Sequence, residues 1–329
     1  TNADGTTTVR GKKLVISFTV DPKNDFLGGN NVITNASAGV YENSSVQTPV
    51  MTFEQPTVNV SIKDVTVTAT DKNVYLLGDV TADQLKDGAT VKVGNVTLDL
   101  SKAEQNYGLE PWQTEYVNIE VKIKDANGNV ISDKLDNLTE DRTYTVEATV
   151  TPKTTSSTGS AGTPATVKTG QNNPAKINVF KPELTFKDSQ IDLGETADYK
   201  NNKADTDFEV WKHQDAVADP TTMIGKKPEL ALLYNPPQAA FAQDTPVKVT
   251  VKIGDNDVNT YTTFKHDPCN FEGCKWGQNG FSDCHFIVHV KSFDLTIKNR
   301  HAAHRREPEL RVRGKEGRQF LLHGRGDSR

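Results

Sequence analysis

One short phrase occurs three times in this chain. It reads Phe53-Glu54-Gln55-Pro56-Thr57-Val58-Asn59-Val60, then Phe180-Lys181-Pro182-Glu183-Leu184-Thr185-Phe186. It returns without the proline as Val290-Lys291-Ser292-Phe293-Asp294-Leu295-Thr296-Ile297. Apolar and polar residues alternate in each copy, which is the period of a β-strand with one wet face. Phe53 and Phe180 lie 127 residues apart, and the next interval is about 110. That is a domain length and not a solenoid repeat. Each copy is placed to close one β domain and open the next, so the chain reads as a string of beads. Architectures of that kind serve as spacers or adhesive stalks.

Length and composition agree with several small domains. A chain of 329 residues suits two or three cores. A hydrophobic content of 35% is low for one large globule, and Thr, Val, Asn and Asp favour short strands with one solvated face. The net charge of −5 argues against nucleic acid as a partner. No run reaches the roughly 18 apolar residues of a membrane span. The start, Thr1-Asn2-Ala3-Asp4-Gly5, is polar and lacks Met, so the chain reads as an internal fragment or processed product.

Composition breaks near residue 299. Only Arg10 and Arg142 occur before it, whereas residues 300 to 329 hold eight arginines and three histidines, with a net charge of +5. The segment 300–329 therefore reads as a disordered or out-of-frame tail. Residues 1–55 read as the closing strands of a truncated β domain. They include Leu14–Val20 and a Gly/Asn bend at Leu27-Gly28-Gly29-Asn30.

Residues 56–180 form the next bead. Its strands are expected at Val65–Ala69, Thr90–Val93, Val117–Ile123, Thr143–Val150 and Ala175–Phe180, with a helical turn at Ala82–Gly88. Thr151–Gln171 reads as a long loop. Residues 181–299 form the third bead. Its strands are expected at Phe208–Trp211, Glu229–Tyr234, Val247–Ile253 and Phe286–Val290, with Trp211 and Tyr234 as core anchors.

The densest chemistry is the run His266, Cys269, Cys274, Cys284, His285, His289. Its spacing superficially matches zinc ligation through Cys269, Cys274 and His285. Phe286-Ile287-Val288 favour a strand between the two histidines, and four residues of strand span roughly 13 Å, too far for one ion. The first reading is therefore a disulfide, Cys269–Cys274 or Cys269–Cys284, with one thiol left over. Unpaired buried thiols and zinc are the alternatives.

Asp125-Ala126-Asn127-Gly128-Asn129 resembles the start of a calcium loop. It has Val130 where that loop needs glycine and Asp136 where it needs glutamate, so a hairpin turn is the better reading. Arg325-Gly326-Asp327 matches a short cell-attachment motif. Sequons occur at Asn35, Asn95 and Asn137. No nucleophile–base motif or phosphate loop is present, so neither enzymatic activity nor a cofactor is expected. Trp112, Trp276 and Tyr107 are the candidates for a sugar-stacking platform.

Val20-Asp21-Pro22, Asp25-Phe26-Leu27-Gly28-Gly29-Asn30-Asn31-Val32 and Gly39-Val40-Tyr41 resemble the Ig-like stalk region of Gram-positive cell-wall-anchored surface adhesins and pilus-like proteins. Phe186–Gly194 and Phe286–Lys291 resemble stalk modules of the same group. The likeness covers residues 10 to 299. It implies an all-β fold of tandem Ig-like β-sandwiches in an elongated array. It also implies an extracellular, cell-wall-anchored stalk that projects a binding head toward a host extracellular protein or glycan. Neither head nor sorting signal occurs in these residues. Two other functions remain open: direct binding of a host matrix protein or glycan by one bead, and a carbohydrate-binding accessory module of a secreted enzyme. Modules of this group form Lys–Asn amide bonds promoted by a buried acid. By resemblance the candidates are Lys63 and Asn178, with Glu120 or Glu147 between them.

Overall fold

The computed structural model describes residues 22–34, 39–40, 48, 51–52, 57–153, 165–267, 271, 285–291, 293–295, 310–314 and 319–322. The protein is all-β. Among the described residues there is one α-helix, of five residues, and two short 3-10 turns. The chain falls into two units, and neither is a single run of sequence. One holds Thr1–Thr70, Leu85–Ile131 and Tyr144–Ala175. The other holds Asp71–Gln84, Ser132–Thr143 and Lys176–Arg329.

In the first unit, Val65–Thr68 pairs antiparallel with Thr90–Val93, which turns back onto Val96–Thr97. Val117–Asp125 runs antiparallel to Arg142–Pro152, from Val117 opposite Pro152 to Asp125 opposite Tyr144. Lys168–Gln171 adds to the far side of that strand. Burial follows the alternation: Tyr144, Val146, Ala148 and Val150 are buried, and the residues between them are half-exposed. Burying each large apolar side chain stabilises the fold by roughly 1.5–3 kcal/mol. Tyr107 is also core. Its hydroxyl accepts from Val121 N at 3.3 Å and it is 3% exposed.

The Asp125 segment is the expected tight turn, not an ion loop. Asp125 Oδ1 accepts from Asn127 N and Asn129 N, each at 2.9 Å, and Oδ2 accepts from Asn129 Nδ2 at 3.1 Å. Gly128 takes φ +84, which an L side chain would resist. The turn closes only a bridge between Lys124 and Val130. The chain then makes the short strand Lys134–Leu135, paired with Val80–Thr81, before Arg142. The helix Ala82–Lys86 forms where the sequence placed it, behind a reciprocal cap. Thr81 Oγ1 accepts from Gln84 N at 3.2 Å, and Gln84 Oε1 accepts from Thr81 N at 2.9 Å.

The second unit is organised around Ala175–Phe186, a strand of twelve residues. The sequence boundary drawn at 180 falls inside it. Ile177 and Val179 are buried, and then Phe180, Pro182, Leu184 and Phe186 are buried. The strand thus changes the face it buries at Val179-Phe180 without ending. Its first half pairs in parallel with Lys72–Tyr75. Its second half pairs antiparallel with Glu209–His213 and in parallel with Thr263–His266. Pro182, which lacks an N–H, falls between Phe180, the last residue paired with Lys72–Tyr75, and Glu183, the first paired with Thr263–His266, where that edge of the strand has no rung to lose.

Further along, Ser189–Ile191, His285–Val290, Thr245–Ile253 and Leu230–Asn235 follow one another across a sheet. An aromatic cluster lies beside it. Phe286 stacks on Phe186 at 5.6 Å between ring centroids and meets Tyr199 edge-on at 5.4 Å, while Tyr199 lies 5.0 Å from Tyr234. Trp211 is a core anchor, 3% exposed and edge-on to Tyr75 at 5.2 Å. Burial pushes the Tyr234 phenol up to about 12.

Leu310–Gly314 pairs antiparallel with Phe293–Leu295 and with Gln319–Leu322, so these residues of the Arg-rich segment form strands. The β-branched and apolar positions Val312, Phe320, Leu321 and Leu322 supply a local strand signal that the arginine content obscures. Leu14–Val20 lies outside the described residues.

Gly170 lies in Lys168–Gln171 where the strand Val65–Thr68 comes close. A Cβ there would stand 2.7 Å from the Val65 carbonyl carbon. The Gly170→Ala chain should lose about 1–3 kcal/mol. Urea denaturation measures it, and an unchanged midpoint would contradict the close approach.

Candidate functional site

Two strands of the second unit run parallel to a strand far earlier in the sequence. Ile177–Phe180 pairs with Lys72–Tyr75, and Val288–Val290 pairs with Ser189–Ile191. Each earlier strand opens a domain-length stretch of chain, and each later one closes it. Because the partners are parallel, the chain enters at one end of the ladder and leaves at the other. A pull applied between entry and exit would therefore act along the strands, across the ladder hydrogen bonds.

Carboxylates hold both closing strands. Asp71, immediately before Lys72–Tyr75, accepts from Lys176 N at 2.8 Å, and Asp188, immediately before Ser189–Ile191, accepts from Ile287 N at 2.7 Å. Asp141 precedes Arg142–Pro152 and accepts from Val179 N at 2.9 Å. Asp244 precedes Thr245–Ile253 and accepts from Val290 N at 2.8 Å. In these last two, the second carboxylate oxygen meets a histidine. Asp141 Oδ2 is 2.8 Å from His213 Nε2, and Asp244 Oδ2 is 2.8 Å from His289 Nδ1. His289 Nε2 faces Asp188 Oδ2 at 3.6 Å.

Partial burial opposes ionisation of Asp141, but the Val179 N–H and His213 outweigh it and hold the carboxyl below its ordinary range. Asp244 is likewise lowered, with burial offset by the Val290 N–H and His289.

The residues singled out from sequence stand elsewhere. Lys63 is exposed. Glu120 is exposed and pairs with Lys122 at 2.9 Å, and Glu147 pairs with Lys124 at 2.7 Å. The Asn178 amide donates to Asn73 Oδ1 at 3.0 Å. Amide formation needs a lysine kept neutral by burial next to a protonated acid. Lys63 lacks that burial, and both glutamates already face ammonium groups. The structure thus does not gather Lys63, Asn178, Glu120 and Glu147 into one buried set.

Cys269, Cys274 and Cys284, and Arg325, Gly326 and Asp327, lie outside the described residues. His285 and His289 sit on one strand, His285–Val290, as the sequence reading of that segment required. His266 Nε2 lies 2.7 Å from the His285 carbonyl oxygen. That nitrogen is therefore a donor and presents no lone pair to a metal. Among the described residues no group of three or more His, Cys, Asp or Glu is arranged to hold a metal ion.

Of the aromatic candidates, Tyr107 is core, and Trp112 is half-buried beneath the Lys23 ammonium, 4.7 Å from its ring centroid. These two form no exposed coplanar platform. Trp276 lies outside the described residues.

Sequence reading passed over Asp71, Asp141, Asp188, Asp244 and His213. A signal was present, because all four aspartates stand one residue before a strand. No family model matches the chain, and no curated protein matches it.

Two measurements follow. Intact mass should equal the sequence mass; a deficit of roughly 17 Da, one ammonia per amide bond, would restore the covalent reading. The second concerns acid. A carboxyl with a depressed folded-state pKa contributes stability that is present above its unfolded value, near 4, and is lost as pH falls through the folded value. The urea midpoint should therefore fall below about pH 4. This acid limb should be shallower in Asp141→Asn, whose amide takes up no proton. Identical acid limbs in both chains would refute the role given to Asp141.

Proposed function

We propose that this chain is a structural stalk segment of a bacterial cell-surface adhesin. It is built from tandem Ig-like sandwiches and holds a binding head away from the cell wall, toward a host protein or glycan. The observation that supports this is the parallel pairing of opening and closing strands, present twice: Lys72–Tyr75 with Ile177–Phe180, and Ser189–Ile191 with Val288–Val290. A spacer on a cell surface is pulled from its two ends. Parallel terminal strands turn that pull into shear, so several hydrogen bonds must fail together. An antiparallel terminal pair would open one bond at a time. Forced unfolding is governed by the unfolding rate, and a ladder that must fail as a set raises that barrier.

The continuous strand Ala175–Phe186 adds to this reading. It closes the first parallel arrangement and goes straight into the ladder with Glu209–His213. The connection is paired backbone and not a free linker, so little slack is available before the ladders take the load. The resemblance of Phe186–Gly194 and Phe286–Lys291 to stalk modules points the same way. The accessory-module alternative is weakened by the covered positions of Tyr107 and Trp112.

Single-molecule pulling on the whole chain from its two ends tests the proposal. Two resisted unfolding events are expected, each releasing on the order of 350 Å, the extended length of the chain between an opening and a closing strand. Featureless extension without a force peak would end the stalk reading.

A further inference from the structure

The four strand-preceding aspartates are two copies of one device. In the first copy the bonded amides are Lys176 and Val179; in the second they are Ile287 and Val290. Both pairs are three residues apart on their strand. Residues an odd number apart present their N–H groups to opposite edges of a strand, so each closing strand is gripped from both sides. On one side the carboxylate comes from the residue before the parallel partner, and on the other from the residue before a second long strand. This correspondence holds in all four members, although the stretches between them differ in length and sequence.

We propose that Asp71 with Asp141, and Asp188 with Asp244, are two-sided carboxylate latches that must release before either closing strand can shear out. This rests on the stalk reading above and names the bonds that carry its resistance. A carboxylate accepting from a backbone N–H makes a bond roughly twice as strong as a neutral pair. The latch amides therefore resist more than ordinary rungs of a parallel ladder, whose slanted bonds are slightly weaker than antiparallel ones.

The histidines set the aim of the outer carboxylates. His289 Nδ1 meets Asp244 Oδ2 at 2.8 Å, while its Nε2 stands 3.6 Å from Asp188 Oδ2, beyond hydrogen-bond reach, so the ring braces the Asp244 arm of the second latch. His213 does the same for Asp141 from a different strand, Glu209–His213, which is itself paired with the continuation of the closing strand. The first latch is thus braced by a residue that follows its closing strand in the sequence. Peeling Glu209–His213 away would loosen Asp141, whereas the second latch contains its own brace. His213 and His289 are positioning residues here, acting through the aspartates.

Amide hydrogen exchange on the full chain, read by NMR, tests the latch separately from the stalk. In Asp188→Ala the Ile287 amide should exchange at least tenfold faster, with Val247, Val249 and Val251 changed less than twofold. Asp141→Ala should do the same to Val179. His213→Ala should accelerate Val179 but leave Ile287 and Val290 unchanged. Where an alanine chain does not fold, the asparagine variant at the same position keeps an oxygen acceptor without its charge, and a smaller acceleration of the same amide is expected.

Ile287 exchanging as in the wild type, or every amide accelerating by one common factor, overturns the latch. Pulling adds a second readout. If the wild-type chain shows no resisted event, the stalk reading fails while the exchange result still decides whether the latch exists. If the wild type resists and Asp188→Ala resists equally, the latch is wrong and the stalk reading stands.

Discussion

The second unit depends on a closing strand lying parallel to the strand that opened its stretch of chain. Parallel neighbours cannot be joined by a tight turn, because the chain must travel back to the starting end before it can run alongside itself. Everything between Lys72–Tyr75 and Ile177–Phe180, and between Ser189–Ile191 and Val288–Val290, is that return journey. The loop-closure entropy of such a long return is considerable. It is offset by apolar burial at Val74, Ile177, Val179, Val288 and Phe286 and by the carboxylate–amide bonds at the strand ends.

Those carboxylates also solve a local problem. A strand that begins or ends beside a partner leaves backbone N–H groups without a rung, and a buried N–H without an acceptor is costly. An aspartate placed one residue before the neighbouring strand has a side chain short enough to reach back to that donor. Asp71, Asp141, Asp188 and Asp244 all do this. Neutral acceptors would satisfy the same donors less strongly. The use of a charged group at all four places accounts for the pull on the Asp141 and Asp244 carboxyls and for the histidines beside them.

Much of the fold was legible in the chain. Val117–Asp125, Arg142–Pro152 and Thr245–Ile253 follow from alternation and β-branching within one or two residues of their observed ends. Asn127-Gly128 gave a turn. The functional residues were less legible. Lys63, Glu120, Glu147 and Asn178 drew attention because their residue types suit a known chemistry, yet Lys63 and Glu120 are exposed and Glu147 is ion-paired. Asp141 and Asp244 drew none, because an aspartate before a strand also looks like an ordinary solvated turn residue. Only their reach to Val179 and Val290 distinguishes them.

Side-chain period, a local property, determined which segments are strands, which residues of each face the core, and where turns interrupt them. It could not determine partners or direction, because every strand offers the same backbone donors and acceptors. Tertiary packing decided that Ala175–Phe186 continues through Val179-Phe180 instead of ending there, since a fresh core receives Phe180, Leu184 and Phe186 on its other face. It also decided that His213 meets Asp141, a contact between residues 72 positions apart that exists only once two ladders share one strand.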